Sequence, residues 1–170
     1  HVSKTVAERF GNTILELGGN NAIIISEHAD LSMVLVGSVF GAVGTAGQRC
    51  TSTRRLIIHE SIYEKVKEAL IAAYQQLRIG NPLDENNHVG PLIDIHAVEM
   101  YAKALNNVVA EGGTILVEGG VLTGEGYESG CYVKPAIAEA QNSFEIVQHE
   151  TFAPVLYLIK YSGTVENAID

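Results

Sequence analysis

The sequence predicts an α/β fold, with a mainly parallel sheet flanked by helices in three layers. Three observations predict it. Strand-like apolar runs alternate with helical segments through most of the 170 residues, the pattern of a sheet wrapped by crossover helices. Ala22-Ile23-Ile24-Ile25 is a nearly continuous apolar run, as in a strand buried on both faces. The composition, 46% hydrophobic and 18% charged, is globular, and a chain of this length buries about 70% of its unfolded surface.

The elements follow in order. Val2 to Phe10 has helical spacing and stops at Gly11. Thr13 to Leu17 reads as a strand stopped by Gly18-Gly19, and Ala22 to Ile25 as a second. Asp30 or Ser32 caps a helix running to Val43. Arg54 to His59 is a strand, and Ser61-Ile62-Tyr63-Glu64 is a capping box for a helix reaching Leu77. Gly80 to Asn87 is turn-rich, and Gly90-Pro91 breaks the chain again. Asp94 caps a long helix that ends at Gly112-Gly113. Thr114 to Glu118 is a short strand, Gly119 to Gly130 a glycine-rich surface loop, and Tyr132 to Ile137 and Val155 to Tyr161 are strands. Sites in such sheets gather at the carboxyl ends of strands, which places Glu16 and the Gly18-Gly19 turn at one such end.

Several function classes are excluded. A net charge of -9 without a basic cluster argues against nucleic-acid binding, since Arg54-Arg55 alone make no patch. No apolar run is long enough to span a membrane, and no signal peptide opens the chain. Cys50 and Cys131 cannot form a disulfide framework, though they could form one bond. The six histidines lack metal-ligand spacing, so no metal is expected. There is no GxGxxG, GxxxxGK[ST] or GxSxG. The chain opens on His1, and Thr164 to Asp170 reads as a helix barely begun, so a piece of a longer protein is expected.

The chemistry centres on Gly44-Thr45-Ala46-Gly47-Gln48-Arg49-Cys50-Thr51-Ser52. A lone cysteine is by default a small buried hydrophobe. Glycines beside a reactive group favour close approach to a ligand, and so favour Cys50 as a nucleophile. Arg49 would favour the thiolate only if its side chain turns that way, and the C-terminal end of the preceding helix works weakly against an anion. Glu16 sits among Ile14, Leu15 and Leu17; in a partly dry strand its carboxyl becomes a better general base, and the alternative is a glutamate on the solvated face of an edge strand, with the paired glycines after it favouring a site. Glu150, in His149-Glu150-Thr151-Phe152-Ala153-Pro154, could take two ribose hydroxyls, with the neighbouring ring packing on a flat group.

Glu16-Leu17-Gly18-Gly19-Asn20, Gly47-Gln48-Arg49-Cys50-Thr51 and Glu150-Thr151-Phe152-Ala153-Pro154 together resemble the signature segments of the NAD(P)-dependent aldehyde dehydrogenase superfamily. Gly80 to Asp84, Gly90-Pro91-Leu92-Ile93 and Tyr132 to Pro135 look like its intervening landmarks, so the resemblance covers essentially the whole chain. Asn20-Asn21 stands where most members have lysine after the glycines, and Ala153 where most have glycine. Ala42 to Thr51 is close to the antiquitin-like branch, whose substrate is α-aminoadipic semialdehyde.

The resemblance implies that residues 1-170 are part of a catalytic domain, lacking the cofactor-binding domain and inactive alone. It implies Cys50 as nucleophile and Glu16 as base, with Glu16, Leu17, Glu150 and Phe152 at the cofactor and Arg49 and Thr51 at the substrate. It further implies NAD or NADP, an aldehyde substrate, a dimeric or tetrameric homo-oligomer, and a cytoplasmic location (mitochondrial in a eukaryote). Other readings of the residues are a cysteine hydrolase or acyl transferase, which would need a histidine beside Cys50, and a non-catalytic assembly domain. A CoA-acylating dehydrogenase is a nearer rival, but that branch generally lacks the glutamate that Glu16 supplies.

Overall fold

The computed structural model describes residues 1–169. In chain order the elements are α1 (Val2–Ala7), β1 (Asn21–Ile25), α2 (Leu31–Val43), a short 3-10 turn (Gly44–Gly47), β2 (Thr53–His59), α3 (Tyr63–Tyr74), α4 (Ile95–Ala110), β3 (Thr114–Val117), β4 (Gly120–Val121), β5 (Val133–Lys134), β6 (Ala136–Glu139), α5 (Glu145–Gln148), β7 (Val155–Tyr161) and α6 (Glu166–Ile169).

Five strands make one sheet in the order β1-β2-β7-β6-β3. The first three pairings are parallel and only β6 with β3 is antiparallel, so the mainly parallel sheet expected from the sequence is present. β4 and β5 form a separate antiparallel pair. Leu56 and Leu158 are partners in register across β2 and β7, and Ile57 and Tyr157, which point to the opposite face, are buried as well. Both faces of the central strands are therefore covered, as parallel strands require. α2 and α3 pack on each other and on β2, while α4 packs on β3 and β7.

The local signals are mostly as the sequence indicates. Asp30 caps α2 by accepting from Ser32 N–H, and Asp94 caps α4 by accepting from Ala97 N–H at 2.8 Å. The capping box at Ser61 does not form. Ile62 occupies the N-cap position, and Ser61 Oγ lies 2.8 Å from His59 Nδ1. Pro135, which has no N–H to give a ladder, divides the expected strand over 132–137 into β5 and β6.

The strand expected at Thr13 to Leu17 is absent, and residues 11–20 are irregular. Ile14 is 96% and Leu17 78% exposed. β1 pairs with β2 alone, so the 13–17 run has neither a ladder nor an apolar surface to lie on, and propensity alone does not hold a strand. Glu16 is accordingly solvent-exposed rather than held in a partly dry strand.

The parallel core sets two expectations for stability. Leu56→Ala, at a fully buried position in β2, lowers unfolding free energy by about 2–5 kcal/mol in urea titration. Gly37 lies mid-α2 with open space around the position of a Cβ, so Gly37→Ala raises stability by about 0.5–1 kcal/mol in the same measurement.

Candidate active site

Each signature segment leads into a parallel strand. Gly18-Gly19 precedes β1, Cys50 precedes β2 and Glu150 precedes β7. These three strands are adjacent and parallel, so the segments assemble along the amino-terminal edge of the sheet. The carboxyl edge expected for such folds is not where they lie, because without a strand at 13–17 Glu16 leads towards β1 rather than away from a strand.

The cysteine loop is shaped by backbone that most residues avoid. Thr45 and Ala46 have φ of 55° and 52°, and Gly47 follows at 70°. Non-glycine residues in this left-handed region cost of order 1–3 kcal/mol each and persist only where the surroundings over-determine them. The surroundings here include Ala153 and Pro154, since a Cβ on Gly47 would stand 2.6 Å from the Ala153 carbonyl carbon and 2.8 Å from Pro154 N. The next residues form a turn closed by Ser52 N–H donating to Arg49 C=O at 3.0 Å. Cys50 and Thr51 occupy its centre, and both are exposed. Cys50 is a free thiol.

Arg54 holds this loop from below. It is 2% exposed, in β2, and its guanidinium donates to Gly47 C=O at 2.8 Å, to Arg49 C=O at 3.4 Å and to Ala153 C=O at 3.5 Å. Its Nη2 also lies 3.9 Å from Glu150 Oε1, and the group stands 5.3 Å over the Phe152 ring. Burial pulls its pKa below the usual arginine range, and the Glu150 charge pulls it back. One buried cation thereby joins the cysteine loop to the Glu150 segment.

The first segment joins through its glycines and asparagines. A Cβ on Gly18 would meet Glu150 Oε2 at 2.9 Å, and one on Gly19 would lie 3.7 Å from Cys50 C=O. Asn20 Nδ2 donates to Val147 C=O at 2.7 Å, while Arg55 Nη2 donates to Asn20 C=O at 2.8 Å. Asn21 Nδ2 donates to Cys50 C=O and, at 3.3 Å, to Ser52 C=O. Gln48 fixes the other side of the loop. Its amide donates to Pro91 C=O at 3.2 Å and accepts from Ile93 N–H at 2.9 Å.

Arg49 turns back onto α2. Nη2 donates to Phe40 C=O at 3.1 Å, and the guanidinium stands 4.8 Å over the Phe40 ring. A cation on the last carbonyls of α2 offsets the helix-dipole repulsion expected against a thiolate. Arg49 also lines a groove of about 690 Å³ with Val36, Phe40, Leu77 and His88. Phe152 is 43% exposed and Leu17 largely so. Among the described residues no group of histidine, cysteine or carboxylate side chains could hold a metal, and no helix is long and apolar enough to cross a membrane.

Sequence reasoning singled out Cys50, Glu16 and Glu150, whose segments the structure places along one sheet edge, and passed over Arg54, Asn21 and Gln48, which bond those segments together. The available signal was Arg54 itself, a charge at the start of the apolar run Leu56-Ile57-Ile58.

Three motifs are thus brought to one edge of the sheet, around an exposed thiol. Residues 1–170 match the profile of the aldehyde dehydrogenase family, and the chain belongs to that family. It is 49% identical over 166 residues to alpha-aminoadipic semialdehyde dehydrogenase of Rattus norvegicus, covering 97% of this chain and 30% of that protein. It is 47% identical over 165 residues to aldehyde dehydrogenase family 7 member A1 of Pisum sativum, covering 97% and 32%. The crystal structure of betaine aldehyde dehydrogenase from Staphylococcus aureus in complex with NAD+ superposes with a TM-score of 0.93 at 30% identity, covering 99% of this chain and 34% of that one. The chain thus spans about a third of the length of these relatives.

Gly47→Ala must displace Ala153 and Pro154 and impose φ of 70° on a side-chain-bearing residue. It is expected to lower unfolding free energy by about 1–3 kcal/mol, read by urea titration, where Gly37→Ala moves the other way.

Proposed function

We propose that this chain is part of the catalytic domain of an NAD- or NADP-dependent aldehyde dehydrogenase that oxidises an aldehyde to its carboxylic acid. The observation that carries the reading is the convergence of the glutamate, cysteine and second-glutamate segments on the amino-terminal ends of β1, β2 and β7. The substrate best supported is a semialdehyde such as α-aminoadipic semialdehyde, because relatives bearing that name are 48–49% identical over nearly the whole chain. The rest of the site, including the cofactor-binding domain, belongs to polypeptide outside residues 1–170, so the isolated chain is inactive as a dehydrogenase.

The residues present fit the nicotinamide end of the cofactor. Gly18 leaves open, above the Glu150 carboxylate, the space a side chain would fill. That carboxylate is steadied by Arg54 and remains partly accessible to ribose hydroxyls. Phe152, partly exposed, lies two residues from Glu150, and Leu17 is exposed next to Gly18. When bound, the nicotinamide accepts the hydride that leaves the aldehyde carbon.

The chain's own residues do the remainder. Cys50, at the tip of an exposed turn, attacks the aldehyde carbon as thiolate, forming an S–C bond while the carbonyl oxygen becomes an oxyanion. The Cys50 N–H has no acceptor among the described residues and can donate to that oxyanion. After loss of hydride the carbon is a thioester of Cys50. Glu16, solvent-exposed and two residues before the Gly18 contact with Glu150, takes a proton from the water that cleaves the thioester, releasing the acid and restoring the thiol. Arg49 and Thr51 flank the nucleophile and sort substrates.

In the full-length polypeptide, NAD and the semialdehyde should give NADH absorbance at 340 nm at ordinary enzyme rates. Cys50→Ala should remove this by a factor of about 10³ or more, and Glu16→Gln should cut steady turnover about 100-fold while leaving a single burst of NADH. No turnover by the unaltered enzyme with any aldehyde, or full turnover by Cys50→Ala, overturns the reading.

A further inference from the structure

Two side chains from outside the loop hold the main chain on either side of Cys50. The peptide bonds are all trans, so each N–H points opposite to the carbonyl in its own plane. The plane before Cys50 is set by Arg49 C=O, which accepts from Ser52 N–H at 3.0 Å and from Arg54 Nη2 at 3.4 Å. The plane after it is set by Cys50 C=O, which accepts from Asn21 Nδ2. Fixing both planes fixes φ and ψ of Cys50, and with them the direction of its Cα–Cβ bond. The Cys50 and Thr51 N–H groups meet no acceptor among the described residues.

We propose that Asn21 is a positioning residue for Cys50: by holding the Cys50 and Ser52 carbonyls, its amide fixes the peptide plane that follows Cys50 and with it the direction in which the Cα–Cβ bond presents Sγ. This rests on the dehydrogenase reading above. The residue type is informative. Both partners are carbonyl oxygens, so only a donor serves, and the neutral amide supplies two N–H bonds from one nitrogen. An aspartate of the same shape would set acceptor oxygens against acceptor oxygens. Asn21 also begins β1, and its register partner Thr53 begins β2, so the donor is fixed to the same sheet edge as the turn it grips. Arg54 is buried and its loss would disturb the core, whereas Asn21 is exposed and its replacement opens no cavity. Asn21 is therefore the half of this clamp that can be removed cleanly.

The test uses the full-length polypeptide that carries this chain, with Asn21→Asp and Asn21→Ala. Five quantities are read: kcat and KM with NAD and aldehyde, the acylation burst with p-nitrophenyl acetate, alkylation of Cys50 by iodoacetamide, and Tm. Expected are a fall in kcat and in acylation rate of about 10–100-fold, the cost of a nucleophile displaced by about an ångström. KM and the alkylation rate should stay within about threefold, because iodoacetamide is not held in the site and reaches an exposed Sγ whatever its aim, and Tm within a few degrees. A kcat and acylation rate within threefold of the unaltered enzyme for both variants overturn the proposal. So does a fall in activity matched by an equal fall in alkylatable Cys50 and a large drop in Tm, which is a role in folding alone. If the unaltered enzyme oxidises no aldehyde, the dehydrogenase reading fails instead, and the acylation burst still decides the role of Asn21.

Discussion

The buried guanidinium of Arg54 is the interaction on which the site depends. Taking a charge out of water costs several kcal/mol even after relaxation, and pairing offsets part of that cost. Here three main-chain carbonyls and a carboxylate surround the group. Two of the carbonyls belong to the cysteine loop; the third carbonyl and the carboxylate lie about a hundred residues away, in the segment before β7. Neither segment supplies all of these partners, so the cation ties the two together. The left-handed turn at Thr45, Ala46 and Gly47 is affordable for the same reason. Its backbone is anchored at Gly47 C=O by Arg54 and wedged against Ala153 and Pro154.

The sheet explains how three short motifs distant in sequence become neighbours. Parallel strands joined by crossover helices all begin at one edge. With β1, β2 and β7 adjacent, the loops entering them are adjacent too. The covered faces of β2 and β7 make that edge rigid, and functional groups on rigid elements are held more accurately than those on free loops. Helices contribute less than their usual share. The end of α2 nearest Cys50 is its negative pole, and Arg49 lies across it.

Much of this was legible in the sequence. The alternation of apolar runs and capped helices identified the sheet, because Asp30 and Asp94 cap as their chemistry dictates. Cys50 and Glu150 were legible as motif residues. The 13–17 strand was misread because its apolar pattern carries no information about whether a partner surface is present, and Ile14 and Leu17 have none in this chain. Its loss also reversed the expected edge of the sheet. Arg54 and Asn21 were missed for a different reason. What each does depends on carbonyl groups, which every residue has and no sequence pattern advertises. The Ser61 capping box failed because His59, two residues back, offered the hydroxyl a closer partner.

The contact of Gly47 with Ala153 and Pro154 has a consequence for evolution and engineering. This chain carries the methyl of Ala153 beside the turn that presents its thiol. A Cβ on Gly47 would stand 2.6 Å from the Ala153 carbonyl, so the two segments fit together only while no side chain stands between them. The region from 44 to 52 and that from 150 to 154 are distant in sequence but packed as one unit in space. A chimera that imports a relative's cysteine loop to change substrate preference would have to import the second segment with it.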